Sequence, residues 1–379
     1  MDNPASRRSV IVRMALAQLL VVSLLAGPLL AQEQELTVQE RRQTYPPGLY
    51  AELITPKGVI AISLAFGRAP MTVSNFVGLA EGTIRNQAFP VGVPFYDGTV
   101  FHRVAPRHVI QAGIPDSEIA STPGYSIPNE IHPTLGHDKA GMVGMVNGGP
   151  HTGKSEFYIT LGNRSYLDGD YAVFGEVYEG MDVVREIVVG DLIERVEIVR
   201  VGAAAGAFRP TTDSFRVLRD EVRSRVQAQE EAQRAEDLAF LESSWPHAVT
   251  TDRGWSYVVL REGRGDPLAP GDTAMVRYTG RTVRGLSFAS REENGDPHYL
   301  WPGMDGGEAF HFVVGESSLN PGFDEAVAQM ARGEKRLVIV PAERAYDPVG
   351  FYGIERRGMP RFVIRPRSIL IYEIEVMAR

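Results

Sequence analysis

Tyr96-Asp-Gly-Thr-Val-Phe-His-Arg-Val104 reads as a strand-like segment that carries large apolar residues and places an arginine near its end. A guanidinium in that setting is a candidate for chemistry. Gln111 follows eight residues later, and Gly144-Met-Val-Asn-Gly-Gly-Pro-His-Thr-Gly-Lys-Ser-Glu-Phe-Tyr-Ile159 then joins a Gly-rich loop to an apolar strand. Tyr166-Leu-Asp-Gly-Asp-Tyr-Ala-Val-Phe-Gly175 completes the series. Around it, from Tyr45 to about Val201, short runs rich in Val, Ile and Phe alternate with Gly and Pro turns, as in Gly58-Val-Ile-Ala-Ile-Ser-Leu64. That pattern predicts a mainly β half. Two helices are expected inside it, over 71–81 after Pro70 and over 181–187 after Gly180.

Taken in this order over residues 45–203, the segments resemble the cyclophilin family of peptidyl-prolyl isomerases. The resemblance implies a closed eight-stranded antiparallel barrel capped by two helices, with a peptide groove on its outer wall. Carried over residue by residue, Arg103 is the catalytic guanidinium, Gln111 and Asn147 grip the peptide backbone, and Phe157, Tyr158 and Leu167 line a proline pocket. His108 and Val109 stand where the family usually has Phe and Met, Tyr166 where Trp is common, Tyr171 where His is usual, and Glu156 where Gln is usual. These five departures make the expected pocket more polar and differently shaped.

The chemistry explains the residue types. Rotating an amide costs about 18–20 kcal/mol because resonance must be broken, and X-Pro bonds isomerise over tens to hundreds of seconds unaided. No nucleophile is required. An arginine that donates to the prolyl nitrogen, whose lone pair is freed only as the bond twists, binds the transition state better than either planar ground state.

Beyond that half the composition changes. Residues 212–243 contain no Gly or Pro and are dense in Arg, Glu, Gln and Ala, with Asp213 or Ser214 as the expected cap of a long helix over 213–243. Phe215, Leu218, Val222 and Val226 form its apolar stripe, read as a solvated spacer packing on a neighbour, with a dimerising helix as the second reading. From Trp255 onward β signals return with one short helix over 322–330. Gly271-Asp-Thr-Ala-Met-Val-Arg-Tyr-Thr-Gly280, Gly285-Leu-Ser-Phe288, Gly322-Phe-Asp-Glu-Ala-Val-Ala-Gln-Met330 and the run from Pro341 to Tyr346 together resemble an FKBP-type isomerase domain over 250–379. The implied fold is α+β, a bent antiparallel sheet around a short helix. Tyr278, Phe288, Phe310, Leu319, Asn320, Phe323, Tyr346, Ile364 and Tyr372 fall on the family's pocket positions. Ala289 stands where active members usually carry Asp, Phe323 where Trp often forms the floor, and Asn320 replaces an apolar residue. Binding is therefore expected to outlast catalysis in this half.

The composition bounds the partners. With 39 Lys and Arg against 47 Asp and Glu, the net charge of −8 would repel a polyanion, so nucleic acid is not an expected partner. The absence of Cys removes thiol nucleophiles, disulfides and thiolate metal sites together. The histidines show no HxxxH or HExxH spacing, so neither a metal nor another cofactor is expected. Arg7, Arg8 and Arg13 precede a nearly apolar stretch over 14–31, which reads as an export signal cut after Ala31, with an uncleaved membrane anchor as the alternative. Residues 32–44 and 204–249 read as linkers. The whole then reads as an exported, periplasmic, two-module isomerase acting on proline-containing unfolded polypeptides, with a non-catalytic chaperone using both grooves as the rival.

Overall fold

The computed structural model describes residues 45–115, 122–284, 287–290, 310–315, 320–347, 350–354 and 360–378. The expected signal and first linker, over 1–44, lie outside the described residues. In the first half, strands β1 (Gly48–Thr55), β2 (Gly58–Leu64), β3 (Arg103–Ala105), β4 (Val109–Ala112), β5 (Met142–Met145), β6 (Phe157–Thr160), β7 (Val173–Glu179) and β8 (Arg195–Val201) form one sheet. Their order is β3-β4-β6-β5-β7-β2-β1-β8. This path is open at its two ends, so the ladder does not show the closed barrel expected above. Its end strands are instead bridged just outside their limits. Val100 and Leu192 form an isolated bridge, the Phe101 N–H donates to the Asp191 carbonyl at 2.9 Å, and the Ile193 N–H donates to the Thr99 carbonyl at 2.8 Å.

Helix α1 (Pro70–Ala80) begins with Pro at its first turn, where a missing N–H costs nothing. No side chain of its own caps it. The buried carboxylate of Glu130 does so from a distant loop, accepting from the Thr72 N–H at 2.8 Å and the Thr72 hydroxyl at 2.9 Å. Phe76 carries the helix into the core against Tyr96, Phe157 and Phe174, with ring centroids 5.0–5.5 Å apart. Helix α2 (Met181–Glu186) is shorter, with Val184 as its buried residue.

The chain divides into two units, Met1–Tyr50 with Val199–Phe208, and Ala51–Ile198 with Arg209–Arg379. Within the described part of the first, the Tyr50 hydroxyl donates to the Pro46 carbonyl at 3.0 Å, and helix α3 (Ala203–Ala207) is followed by Phe208, whose carbonyl accepts from Arg200 Nε at 3.0 Å.

Helix α4 (Thr212–Ser244) spans 33 residues. Its cap is Thr211, two or three residues earlier than the expected Asp213 or Ser214. The Thr211 hydroxyl accepts from the Ser214 N–H while the Ser214 hydroxyl accepts from the Thr211 N–H, a capping box in which Ser214 is the third-position partner. Phe215, Val222 and Leu241 are its buried residues. Phe215 packs on Tyr125 with centroids 5.4 Å apart. Leu241 joins Val283, Leu337, Ile339, Ile369 and Ile371.

In the second half, β9 (Val249–Thr250), β10 (Ser256–Arg261), β12 (Thr273–Thr282), β13 (Ser287–Ser290), β16 (Lys335–Val340) and β19 (Leu370–Val376) run in the order β13-β12-β19-β16-β10-β9, and β14 (Phe310–Val313) also pairs with β12. Two ribbons complete it, β11 (Arg264–Pro267) with β15 (Ala331–Arg332), and β17 (Phe351–Ile354) with β18 (Pro360–Ile364). Helix α5 (Pro321–Ala328) buries Phe323, Ala326 and Val327 in one cluster with Tyr278, Val338 and Tyr372 of the sheet and with Trp255, which immediately precedes β10. The molecule is mainly β and multidomain.

Candidate active site

Register sets the site. Arg103 on β3 lies opposite Gln111 on β4, Gln111 opposite Tyr158 on β6, and Tyr158 opposite Gly144 on β5. Directly opposed residues point to the same face of a sheet, so Arg103, Gln111 and Tyr158 stand in one row. Val109, two residues before Gln111, shares that face. Phe157 does not. As the immediate neighbour of Tyr158 it points the other way, fully buried, with its ring edge-on to Phe76 at 5.5 Å and to Tyr96 at 5.8 Å. The expected pocket role of Phe157 is corrected to a core role.

On the pocket face Val109, Tyr158 and Leu167 form a buried cluster, with Val146, Tyr166 and Tyr171 packed against it. Tyr171 meets Tyr158 edge-on, centroids 6.0 Å apart. His108 stacks on Tyr166 at 6.3 Å. The His108 Nδ1 accepts from Arg164 Nε at 3.1 Å and lies 3.2 Å from the Tyr166 hydroxyl, so its proton resides on Nε2. Burial, then the Arg164 and Arg103 charges, push His108 down to about 4. It is a neutral wall at neutral pH. Asn147 directs its Nδ2 to the Asp170 carbonyl at 2.8 Å and accepts from the Gly149 N–H at 3.2 Å. Its side chain therefore shapes the loop that brings Leu167 and Tyr171 to the pocket.

Arg103 is exposed and donates through a guanidinium nitrogen to Gln111 Oε1. Gln111, almost buried, passes its own Nε2 to Glu156 Oε1 at 2.9 Å. The same carboxylate oxygen lies 2.8 Å from His102 Nε2. The arrangement holds a solvent-facing cation on the sheet face that also bears an apolar cluster.

Next to this cluster lies a buried polar chain that no local spacing announces. His137, fully buried, donates its backbone N–H to Asp168 Oδ1 at 2.8 Å, and the same oxygen lies 2.6 Å from its Nδ1. On its other side His137 Nε2 lies 2.6 Å from the Tyr158 hydroxyl. Burial pushes Tyr158 well above the ordinary phenol range and pushes His137 down, against the opposing pull of Asp168. Imidazole donating to Asp168 and accepting from the phenol satisfies all three groups. Gly144 makes this arrangement feasible: a Cβ there would lie 2.3 Å from the Tyr158 hydroxyl oxygen. The one sequence signal for it is Asp168 within the Tyr166–Gly175 run.

In the second half Tyr278, Phe323 and Tyr372 converge, with centroids 5.0 Å apart for Tyr278 and Phe323 and 5.2 Å for Phe323 and Tyr372. Ile364 belongs to the same buried cluster, and Tyr346 packs against it. Asn320 has two tasks. Its Oδ1 accepts from the Phe323 N–H at 3.1 Å, capping α5, and its Nδ2 donates to the Tyr372 hydroxyl at 2.6 Å. Burial pushes Tyr372 well above the usual phenol value, so the floor of this cluster carries neutral polar groups. Phe288, Ala289 and Phe310 sit on β13 and β14 with their side chains outside the described set, and Leu319 lies outside the described residues.

Comparison with known proteins agrees with both halves. Residues 50–203 match the family model for cyclophilin type peptidyl-prolyl cis-trans isomerase/CLD. Residues 265–377 match the model for FKBP-type peptidyl-prolyl cis-trans isomerase. The chain is 44% identical over 133 residues to the peptidyl-prolyl cis-trans isomerase A of Mycobacterium tuberculosis, covering 34% of this chain and 73% of that protein. It is 38% identical over 165 residues to the probable peptidyl-prolyl cis-trans isomerase A of Mycobacterium leprae, covering 42% and 85%. It is 40% identical over 140 residues to the peptidyl-prolyl cis-trans isomerase ppi1 of Schizosaccharomyces pombe, covering 36% and 83%.

Proposed function

The chain belongs to the cyclophilin-type peptidyl-prolyl cis-trans isomerase family and carries an FKBP-type isomerase domain in the same polypeptide, and from that premise we propose that its main catalytic centre is Arg103 beside the Val109–Tyr158–Leu167 cleft. The observation that carries this reading is the cross-strand row, which sets an exposed guanidinium, steadied by Gln111, on the face that also bears the apolar cluster. The prolyl ring enters the cleft. Arg103 donates to the prolyl nitrogen as the bond twists, and the loop held by Asn147 and Asp170 supports the flanking backbone. Stabilisation appears only when amide conjugation is lost, so it lowers the barrier rather than tightening ground-state binding.

Arg103→Ala should remove most of the isomerisation rate attributable to this half, seen in kcat/KM, while affinity for a ground-state peptide changes little. An unchanged rate in a folded variant would refute the assignment. The FKBP-type half is read as a proline-peptide binding module with slower turnover, supported by Ala289 in place of the usual Asp and by the polar Asn320–Tyr372 floor.

The substrates are read as exported polypeptides, on the strength of the basic and apolar start and the absence of Cys. Among the described residues no helix is long and apolar enough to cross a membrane. Mass spectrometry of the protein from its native envelope should find residues 1–31 removed. An intact start in the cytoplasm would refute export, and an intact start in the membrane would select the anchor.

A further inference from the structure

We propose that Glu156 is a positioning residue for the isomerase reaction, its carboxylate fixing the Gln111 amide in the orientation that presents an oxygen to Arg103. The inference rests on the reading of Arg103 as the catalytic group. A glutamine side chain has one accepting and one donating end of nearly the same shape. Flipped, Gln111 would turn its NH₂ toward a guanidinium, which only donates, and Arg103 would lose its support.

A carboxylate accepts and cannot donate, so Glu156 takes the Nε2 end of Gln111 at 2.9 Å and leaves Oε1 for Arg103. A neutral amide at 156, with both ends available, would tolerate either orientation. Glu156 is itself held. His102 Nε2 reaches the same oxygen at 2.8 Å, and because only a donor fits there, the imidazole carries a proton on Nε2. Its Nδ1 is buried without a partner. Glu156 immediately precedes β6, Gln111 lies on β4 and His102 immediately precedes β3, so one oxygen ties together the three segments that carry the row.

The test uses the full-length chain and a proline-containing peptide, with isomerisation rates measured at neutral pH. The rate of Arg103→Ala is subtracted to remove the contribution of the second half. In Glu156→Gln kcat/KM should fall about threefold, and in Glu156→Ala about tenfold, with peptide affinity within about twofold in both. The side-chain amide of Gln111 should give one set of signals in the wild type and broadened or doubled signals in Glu156→Gln. Glu156 variants that match the wild type in rate and in these signals, or that weaken peptide affinity as much as the rate, would overturn the positioning role while Arg103→Ala still abolishes the rate. An unaffected Arg103→Ala would instead overturn the site itself. If Glu156→Ala fails to fold, Glu156→Gln and its amide signals decide.

Discussion

Replacing His108 by Phe tests whether the pocket wall is the uncharged imidazole that its surroundings demand. In the fold His108 titrates at about 4, driven first by burial and then by Arg164 and Arg103, against 6.5 in an open chain. Between those values the folded protein binds fewer protons than the unfolded one. The contribution of His108 to stability is therefore complete above about pH 6.5 and is lost as pH falls toward 4. Linkage between the two values gives a loss of about 2 kcal/mol from pH 7 to pH 5, and screening by water around a half-buried ring reduces it to about 1 kcal/mol. His137, also lowered by burial, acts in the same direction and remains in the variant. The difference between the two proteins thus isolates His108. Because two domains do not unfold as one transition, the assay is hydrogen exchange of the β4 and β6 backbone amides, which reports the opening of this sheet. His108→Phe should lose about 1 kcal/mol less between pH 7 and 5 than the wild type, and the imidazole resonances of wild-type His108 should keep the Nε2–H form down to about pH 5. Equal losses, or a midpoint near 6.5, would refute the argument that burial, Arg164 and Arg103 hold this ring neutral.

Gly144→Ala should melt earlier, because its Cβ would sit 2.3 Å from the Tyr158 hydroxyl oxygen; overpacking at about 1–3 kcal/mol plus an unpaired His137 nitrogen at about 1–3 kcal/mol sets the scale, and an unchanged melt with an unchanged rate would refute the close fit. Phe157→Ala should cost about 3–5 kcal/mol of stability yet leave the turnover of the folded fraction within a few fold, whereas a large drop in kcat at unchanged stability would return Phe157 to the pocket. In the full chain carrying Arg103→Ala, adding Ala289→Asp should raise the residual isomerisation rate, and an indifferent rate would show that a carboxylate at that position does not limit the second half.

The spacing of chemistry-bearing residues along strands was legible because period and sequence order survive folding. Arg103 and Gln111 end up opposite one another because a turn of three residues joins β3 to β4. What the chain could not announce was the face on which adjacent apolar residues land. Phe157 and Tyr158 are both aromatic, both buried and one position apart. Only the pairing of β6 with β4 and β5 decides that Tyr158 joins the row with Gln111 and that Phe157 enters the core against Phe76. The helix cap failed for a related reason, since Thr211 and Ser214 form a reciprocal pair in which either hydroxyl reads as the cap until the backbone is seen.

The buried chain beneath the pocket was least accessible of all. His137 and Asp168 are 31 residues apart and Tyr158 lies between them in sequence, so no window joins them. Yet its physical necessity follows from the burial of the Tyr158 hydroxyl, because a buried hydroxyl without a partner costs about 1–3 kcal/mol. His137 supplies that partner, Asp168 fixes the tautomer that can accept, and the absence of a side chain at Gly144 leaves room for the phenol to reach it. The same logic governs the second half, where the hydroxyl of Tyr372 is met by Asn320, a residue that sequence reading treats as a loss of apolar contact. In both halves a buried phenol hydroxyl is matched by a polar partner far away in the chain. The members are therefore coupled pairs, and removing one alone should be costlier than removing both.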